Sequence, residues 1–111
     1  MKADEVLEGL VKGQDELKEE IPEQMKKFKD FSKSVMKDGA LSKKQKKLIA
    51  LGAALAKRCD YCIVKNLNEA IELEASKEEI LEAASVVMLL DGGPGVAYST
   101  FLLEKYNELT E

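Results

Sequence analysis

The residues best suited to chemistry in this chain are Cys59-Asp60-Tyr61-Cys62, which contain its only two cysteines. Cysteines three apart on a helix face the same way, so their sulfurs can meet. At a helix N-terminus the positive end of the macrodipole favours thiolate, the nucleophilic form of the side chain. Lys57, Arg58 and Lys65 add positive charge nearby, and Asp60 opposes it. One thiolate can attack while the second sulfur resolves a sulfenic acid or a mixed disulfide, so the spacing suits a reversible redox dithiol.

Other uses of the pair fit less well. A structural zinc site takes four ligands, usually as two pairs, and this sequence has neither a second Cys pair nor any His. No metal and no cofactor are expected. A structural bridge over one helical turn would close a very short loop and constrain little. Two inert core thiols remain a live alternative, because Cys59, Cys62, Ile63, Asn66, Leu67 and Ala70 share one helical stripe. Asn66 has two readings, since its amide needs a partner if buried. It donates either to the Cys62 sulfur or to a backbone carbonyl.

The elements that must hold this pair read as helices throughout. Residues 4–20 form an amphipathic helix with Asp4 as candidate N-cap. Pro22 opens a second helix with Met25, Phe28, Phe31, Val35 and Met36 as its apolar stripe, and Asp38-Gly39 ends it. Ser42 caps a third helix over 43–57. Arg58 and Cys59 form a joint before a fourth helix, 60–74. Ser76 with Glu79 makes a capping box for a fifth, which runs to the Asp91-Gly92-Gly93-Pro94-Gly95 turn. A sixth helix runs to about Leu109. The glycine-rich turn reads as a connector, since it lacks the Lys-Ser/Thr of a phosphate loop and any preceding strand. The absence of strands also rules out a thioredoxin-like setting for the dithiol.

The 111 residues fit a single helical domain, all-α, a compact bundle of about six helices. With 45% apolar residues but only 5% aromatics, the core must come from Leu, Ile, Val, Ala and Met. The third and fifth helices are apolar on several faces, more than one small bundle can cover, which predicts burial against another subunit. The net charge of −4 argues against nucleic acid as a partner. The run Lys43, Lys44, Lys46, Lys47 reads as a solvated helix face. The start is acidic and amphipathic rather than signal-like, and no apolar stretch is long enough to cross a bilayer. A cytoplasmic protein with no membrane partner is expected.

The ordered stretches Leu41-Ser-Lys-Lys-Gln-Lys-Lys-Leu-Ile-Ala-Leu51, Ala56-Lys-Arg-Cys-Asp-Tyr-Cys62, Ala75-Ser-Lys-Glu-Glu-Ile-Leu-Glu-Ala83 and Gly92-Gly-Pro-Gly95 resemble the carboxymuconolactone decarboxylase family, in its alkylhydroperoxidase D-like branch. The resemblance covers about 41–104 and leaves the first helix, 1–21, outside. It implies an all-α fold assembled as trimers or hexamers. It also implies a peroxidase or disulfide-exchange activity fed by a dithiol reductant protein and spent on a hydroperoxide or a disulfide. Within it Cys62 is the attacking thiol and Cys59 the resolving one, whereas the dipole argument alone would make Cys59 the more acidic.

Two positions depart from the family pattern. Its proton relay places a Glu at the position of Lys47 and a His at that of Asn66, and a His can occur where Tyr61 stands. Neither Asn nor a protonated Lys shuttles protons near neutral pH as Glu and His do. Lys47 either belongs to the solvated lysine face or, as a cation near the sulfurs, favours thiolate directly. The decarboxylase branch fits less well, because it lacks the C-x-x-C and its acid–base work would want a His. The expected function is a thiol–disulfide oxidoreductase with peroxidase-like capacity. The alternative is a helical assembly or binding module that kept the scaffold and lost the relay.

Overall fold

Local signals set the helix starts. Ser42 Oγ accepts the Gln45 N–H at 3.1 Å while Gln45 Oε1 accepts the Ser42 N–H at 2.9 Å. Ser76 and Glu79 repeat this reciprocal box at 3.0 and 2.8 Å. The Ser76 N–H and the Lys44 ammonium hold the Glu79 carboxyl below its ordinary pKa. In the computed structural model, which describes residues 1–111, these starts lead into α3 (Lys43–Lys57) and α5 (Lys77–Asp91). The rest of the chain forms α1 (Ala3–Glu20), α2 (Pro22–Met36), α4 (Asp60–Glu72) and α6 (Gly93–Thr110). The expected six-helix, all-α architecture is what the chain adopts.

Two boundaries differ from expectation. The cap of α1 is Lys2, not Asp4: the Lys2 N–H donates to Glu5 Oε1 at 3.1 Å, so the N3 carboxylate does the capping. The glycine-rich turn shrinks to one residue. Gly92 alone stands outside the helices, at φ 67° and ψ −138°, a region only glycine enters freely. Pro94 then falls in the first turn of α6, where its missing N–H is no loss. Gly95 lets α6 lie against α5, because a Cβ there would stand 3.1 Å from Met88 Cα.

Leu51 and Leu55 of α3, Ile63 and Leu67 of α4, Ile80 of α5 and Leu102 of α6 are fully buried and form the main core. Each such side chain contributes about 1.5–3 kcal/mol through burial. A smaller cluster of Ala3, Val6 and Val64 pins α1 to α4. Helix α2 buries no residue at all.

The lysine run is not the solvated face that the sequence suggests. Lys44 pairs with Glu79 of α5 at 3.0 Å. Lys46 Nζ donates to the carbonyls of Val35 and Lys37 at the end of α2, at 2.8 and 2.6 Å. Lys47 is buried on the same face as Leu51, Ala54 and Leu55. Three of the four lysines therefore fasten α3 to its neighbours. No helix is long and apolar enough to cross a membrane.

Candidate functional site

The dithiol sits where α3 turns into α4. Arg58 ends α3 in the left-handed region, at φ 56° and ψ 40°. Its N–H donates to the Leu55 carbonyl, and the Cys59 N–H donates to Ala54. One left-handed residue thus reverses the chain, and Cys59 becomes the N-cap of α4. The Cys59 sulfur takes the role that a Ser or Asp oxygen usually fills, accepting the Cys62 N–H at 3.3 Å. Cys59 and Cys62 are joined as a disulfide, with their Cα atoms 5.2 Å apart. Cys62 is exposed and Cys59 half-buried, whereas Ile63, Leu67 and Ala70 of the shared stripe are sealed in the core. The stripe therefore splits, and its sulfur end faces solvent rather than the core.

Tyr61, between the two cysteines, is 56% exposed. Its ring lines the end of an open groove along α1 and a second cavity near Phe101 and Lys105.

Three cations around the site, Arg58, Lys65 and Lys47, are ion-paired. Arg58 Nη2 reaches both carboxylate oxygens of Asp91, at the end of α5, at 3.3 Å. Lys65 and Lys47 both pair with Glu69, at 3.5 and 2.6 Å. Asp91 thus offsets Arg58 and Glu69 is shared by Lys65 and Lys47, so the electropositive setting expected from Lys57, Arg58 and Lys65 is only partly offset. The N–H and dipole at the start of α4 add to thiolate stabilisation.

Lys47 and Asn66 do come together, with a third residue that sequence reasoning did not single out. Lys47 Nζ donates to Asn66 Oδ1 at 3.2 Å and to Glu69 Oε2 at 2.6 Å. Asn66 Nδ2 donates to the Cys62 carbonyl at 2.8 Å. The bonds run Glu69, Lys47, Asn66, Cys62, and of the two readings of Asn66 the backbone carbonyl is the one realised. Glu69 stands four residues after Lys65 and one turn past Asn66, and a buried ammonium requires an anion. That requirement was the available signal, once Lys47 was known to be inside.

A model of the carboxymuconolactone decarboxylase family matches residues 22–105, three-quarters of the chain and all of α2 to α5. The chain belongs to the carboxymuconolactone decarboxylase family. Within this family a Legionella pneumophila protein of known structure superposes with a TM-score of 0.94 at 32% identity, covering 98% of this chain and 97% of its own. A Thermotoga maritima family protein, ascribed a possible part in antioxidative response, gives 0.77 at 29% identity over 89% and 87%. An uncharacterised Cupriavidus necator protein is 31% identical over 88 residues, 79% of this chain and 78% of its own. The family match begins at Pro22, before the stretches quoted from 41 onward, and the Legionella superposition takes in α1 as well.

Proposed function

We propose that this protein is a thiol–disulfide oxidoreductase of the alkylhydroperoxidase D-like type, with Cys59 and Cys62 as its reacting groups. The observation that carries the reading is the asymmetric pair at the start of α4: an exposed Cys62 sulfur bonded to a half-buried Cys59 that caps the helix. A thiolate of a partner dithiol attacks Cys62 and forms a mixed disulfide. Cys59 leaves as a thiolate held by the Cys62 N–H and the helix dipole. The partner's second thiol then attacks its own sulfur in that mixed disulfide, freeing Cys62 and completing a two-electron reduction. In the other direction the Cys62 thiolate attacks a disulfide, or the outer oxygen of a hydroperoxide. With a hydroperoxide the products are an alcohol and a Cys62 sulfenic acid, which Cys59 resolves with loss of water. In this reading Cys62 meets the substrate and Cys59, at the helix N-terminus, is the leaving group.

The antioxidative part ascribed to the Thermotoga relative supports the same chemistry. A reducing cytoplasm would return the pair to thiols. The active form is a homo-oligomer, trimer or hexamer. Ile49, Val86 and Leu90 are 60, 59 and 85% exposed around an apolar groove of about 470 Å³ between α3 and α5, which a second copy would cover.

One observation favours the scaffold reading instead: Lys47 and Asn66, at the relay positions, are bonded to each other and to Glu69 rather than left free. The Cys62→Ser variant separates the two. We expect wild-type protein to turn over a small disulfide or an alkyl hydroperoxide with a dithiol as reductant. Cys62→Ser lowers that turnover to the uncatalysed rate, and Cys59→Ser traps a mixed disulfide at Cys62 detectable by mass spectrometry. A wild-type rate no higher than that of Cys62→Ser would sink the enzyme reading.

A further inference from the structure

Helix α2 is a 15-residue helix with no buried residue. An isolated helix of this length is marginal in water, so α2 needs more packing than its own chain supplies. Met25, Phe28, Lys29 and Ser32 line a cavity shared with Gln14, Lys18 and Lys65, so this side of α2, with Phe28 at its rim, faces the body of the molecule. Gln24, Phe28, Phe31 and Val35 follow a 4-3-4 spacing that puts them on one stripe. The stripe is largely uncovered by its own chain, for Phe28 is 66%, Phe31 64% and Val35 46% exposed.

A complementary surface lies on α1. An open groove of about 560 Å³ runs along it, with Val6, Leu10 and Leu17 as its apolar lining and Gly9 and Gly13 leaving room. A Cβ at either glycine would meet nothing within 4 Å. Glu5, Glu16 and Glu20 are the charged side chains of the groove, and Tyr61 closes one end. Charge fits shape. Helix α1 carries seven acidic residues against two lysines, and α2 carries four lysines against two acidic residues. Lengths fit as well: 18 residues of α1 and 15 of α2 extend about 27 and 22 Å.

We infer that the Phe28–Phe31–Val35 stripe of α2 docks into the α1 groove of a second copy of this chain, so that the partner's helix forms a wall beside Tyr61 and the dithiol. The contact is reciprocal, since each copy carries both the helix and the groove, as a two-fold interface requires. It is separate from the α3–α5 face. It rests on the dithiol reading only for its redox consequence: the docked helix covers one approach to Cys62 and narrows which substrates reach it.

A photo-crosslinking amino acid at position 31, in a mixture of isotopically heavy and light chains, tests the contact. We expect crosslinks between heavy and light chains that map to 5–20 or to Tyr61. We also expect Phe31→Asp to sediment as a smaller assembly than wild type, with any loss of helical content no larger than the 15 residues of α2. In the reduced state, alkylation of Cys62 should quicken several-fold in that variant. Crosslinks confined to one chain or mapping to α5, an unchanged assembly mass, or a monomeric wild type would each overturn the contact. A negative Cys62→Ser turnover assay would leave the crosslink and mass results standing, so the two ideas fail separately.

Discussion

Two lysines are buried in this molecule, and they are solved differently. Lys105, in α6, is 4% exposed; it donates to the Met1 carbonyl at 2.5 Å and to Glu108 at 3.2 Å, and lies 5.3 Å from the centre of the Phe101 ring. Lys47, in α3, is 8% exposed and donates to Glu69 and Asn66. Each ammonium satisfies the same rule, that a buried charge must be paired and hydrogen-bonded. The partners differ in consequence. Those of Lys105 are the chain's first carbonyl and a carboxylate that also accepts the Ala3 N–H, so it staples the two ends of the chain. Those of Lys47 lead through an amide to Cys62. One network secures the fold and the other connects the fold to the dithiol.

The sharpest break in this comparison is Lys105→Ala. Its carboxylate partner has a side chain only 14% exposed, so truncation strands a nearly buried charge and frees the N-terminus. We expect a loss of about 3 kcal/mol in urea unfolding, with disulfide exchange by the remaining folded molecules unchanged. Lys47→Ala is expected to cost less, about 1–2 kcal/mol, because Glu69 is one-third exposed and keeps Lys65. It should nevertheless slow disulfide exchange by roughly 2–10-fold, since Asn66 loses the bond that orients it. Stopped-flow exchange with a small disulfide measures this. Equal exchange rates in the two variants would erase the distinction between the networks.

A smaller effect comes from pH. Burial pushes the Glu108 carboxyl up, but the Ala3 N–H and the Lys105 ammonium outweigh it and hold its pKa below the ordinary 4.5. A carboxylate depressed on folding stabilises the protein above its unfolded pKa and loses that contribution as pH falls through the folded value. The stability gap between wild type and Glu108→Gln should therefore be widest at neutral pH and close progressively below about pH 4.5. Unfolding curves collected across that range would show it, and a gap independent of pH would mean that Glu108 acts only as a neutral acceptor.

Legibility in the sequence tracked how local the cause was. Ser42 and Ser76 announce their helices because a capping box lies within four residues. The joint at Arg58 and Cys59 was visible as a break, but not as a left-handed residue, since arginine gives no sign of that conformation. The Gly92–Gly95 segment looked like a long turn because it is rich in breakers, yet Gly93 and Pro94 tolerate a first helical turn. Lys47 was hidden among its neighbours: four lysines in a row of five carry one composition, and only the position of α4 decides which goes inside. The pairing of Glu69 with Lys47 and of Asp91 with Arg58 has no local sign either, because the partners are 22 and 33 residues apart. The cysteines themselves were legible from spacing. Which one caps a helix and which one faces solvent depended on where α4 begins.

Because a cysteine sulfur closes the first turn of α4, electron transfer and the fraying of a helix end share one atom. A thiolate accepts an N–H more strongly than a disulfide sulfur does. Reduction should thus tighten the first turn even as it frees the covalent loop, and alkylation of Cys59 should loosen it. The deuterium uptake of a single amide, that of Cys62, is then a built-in gauge of the electrons the protein carries.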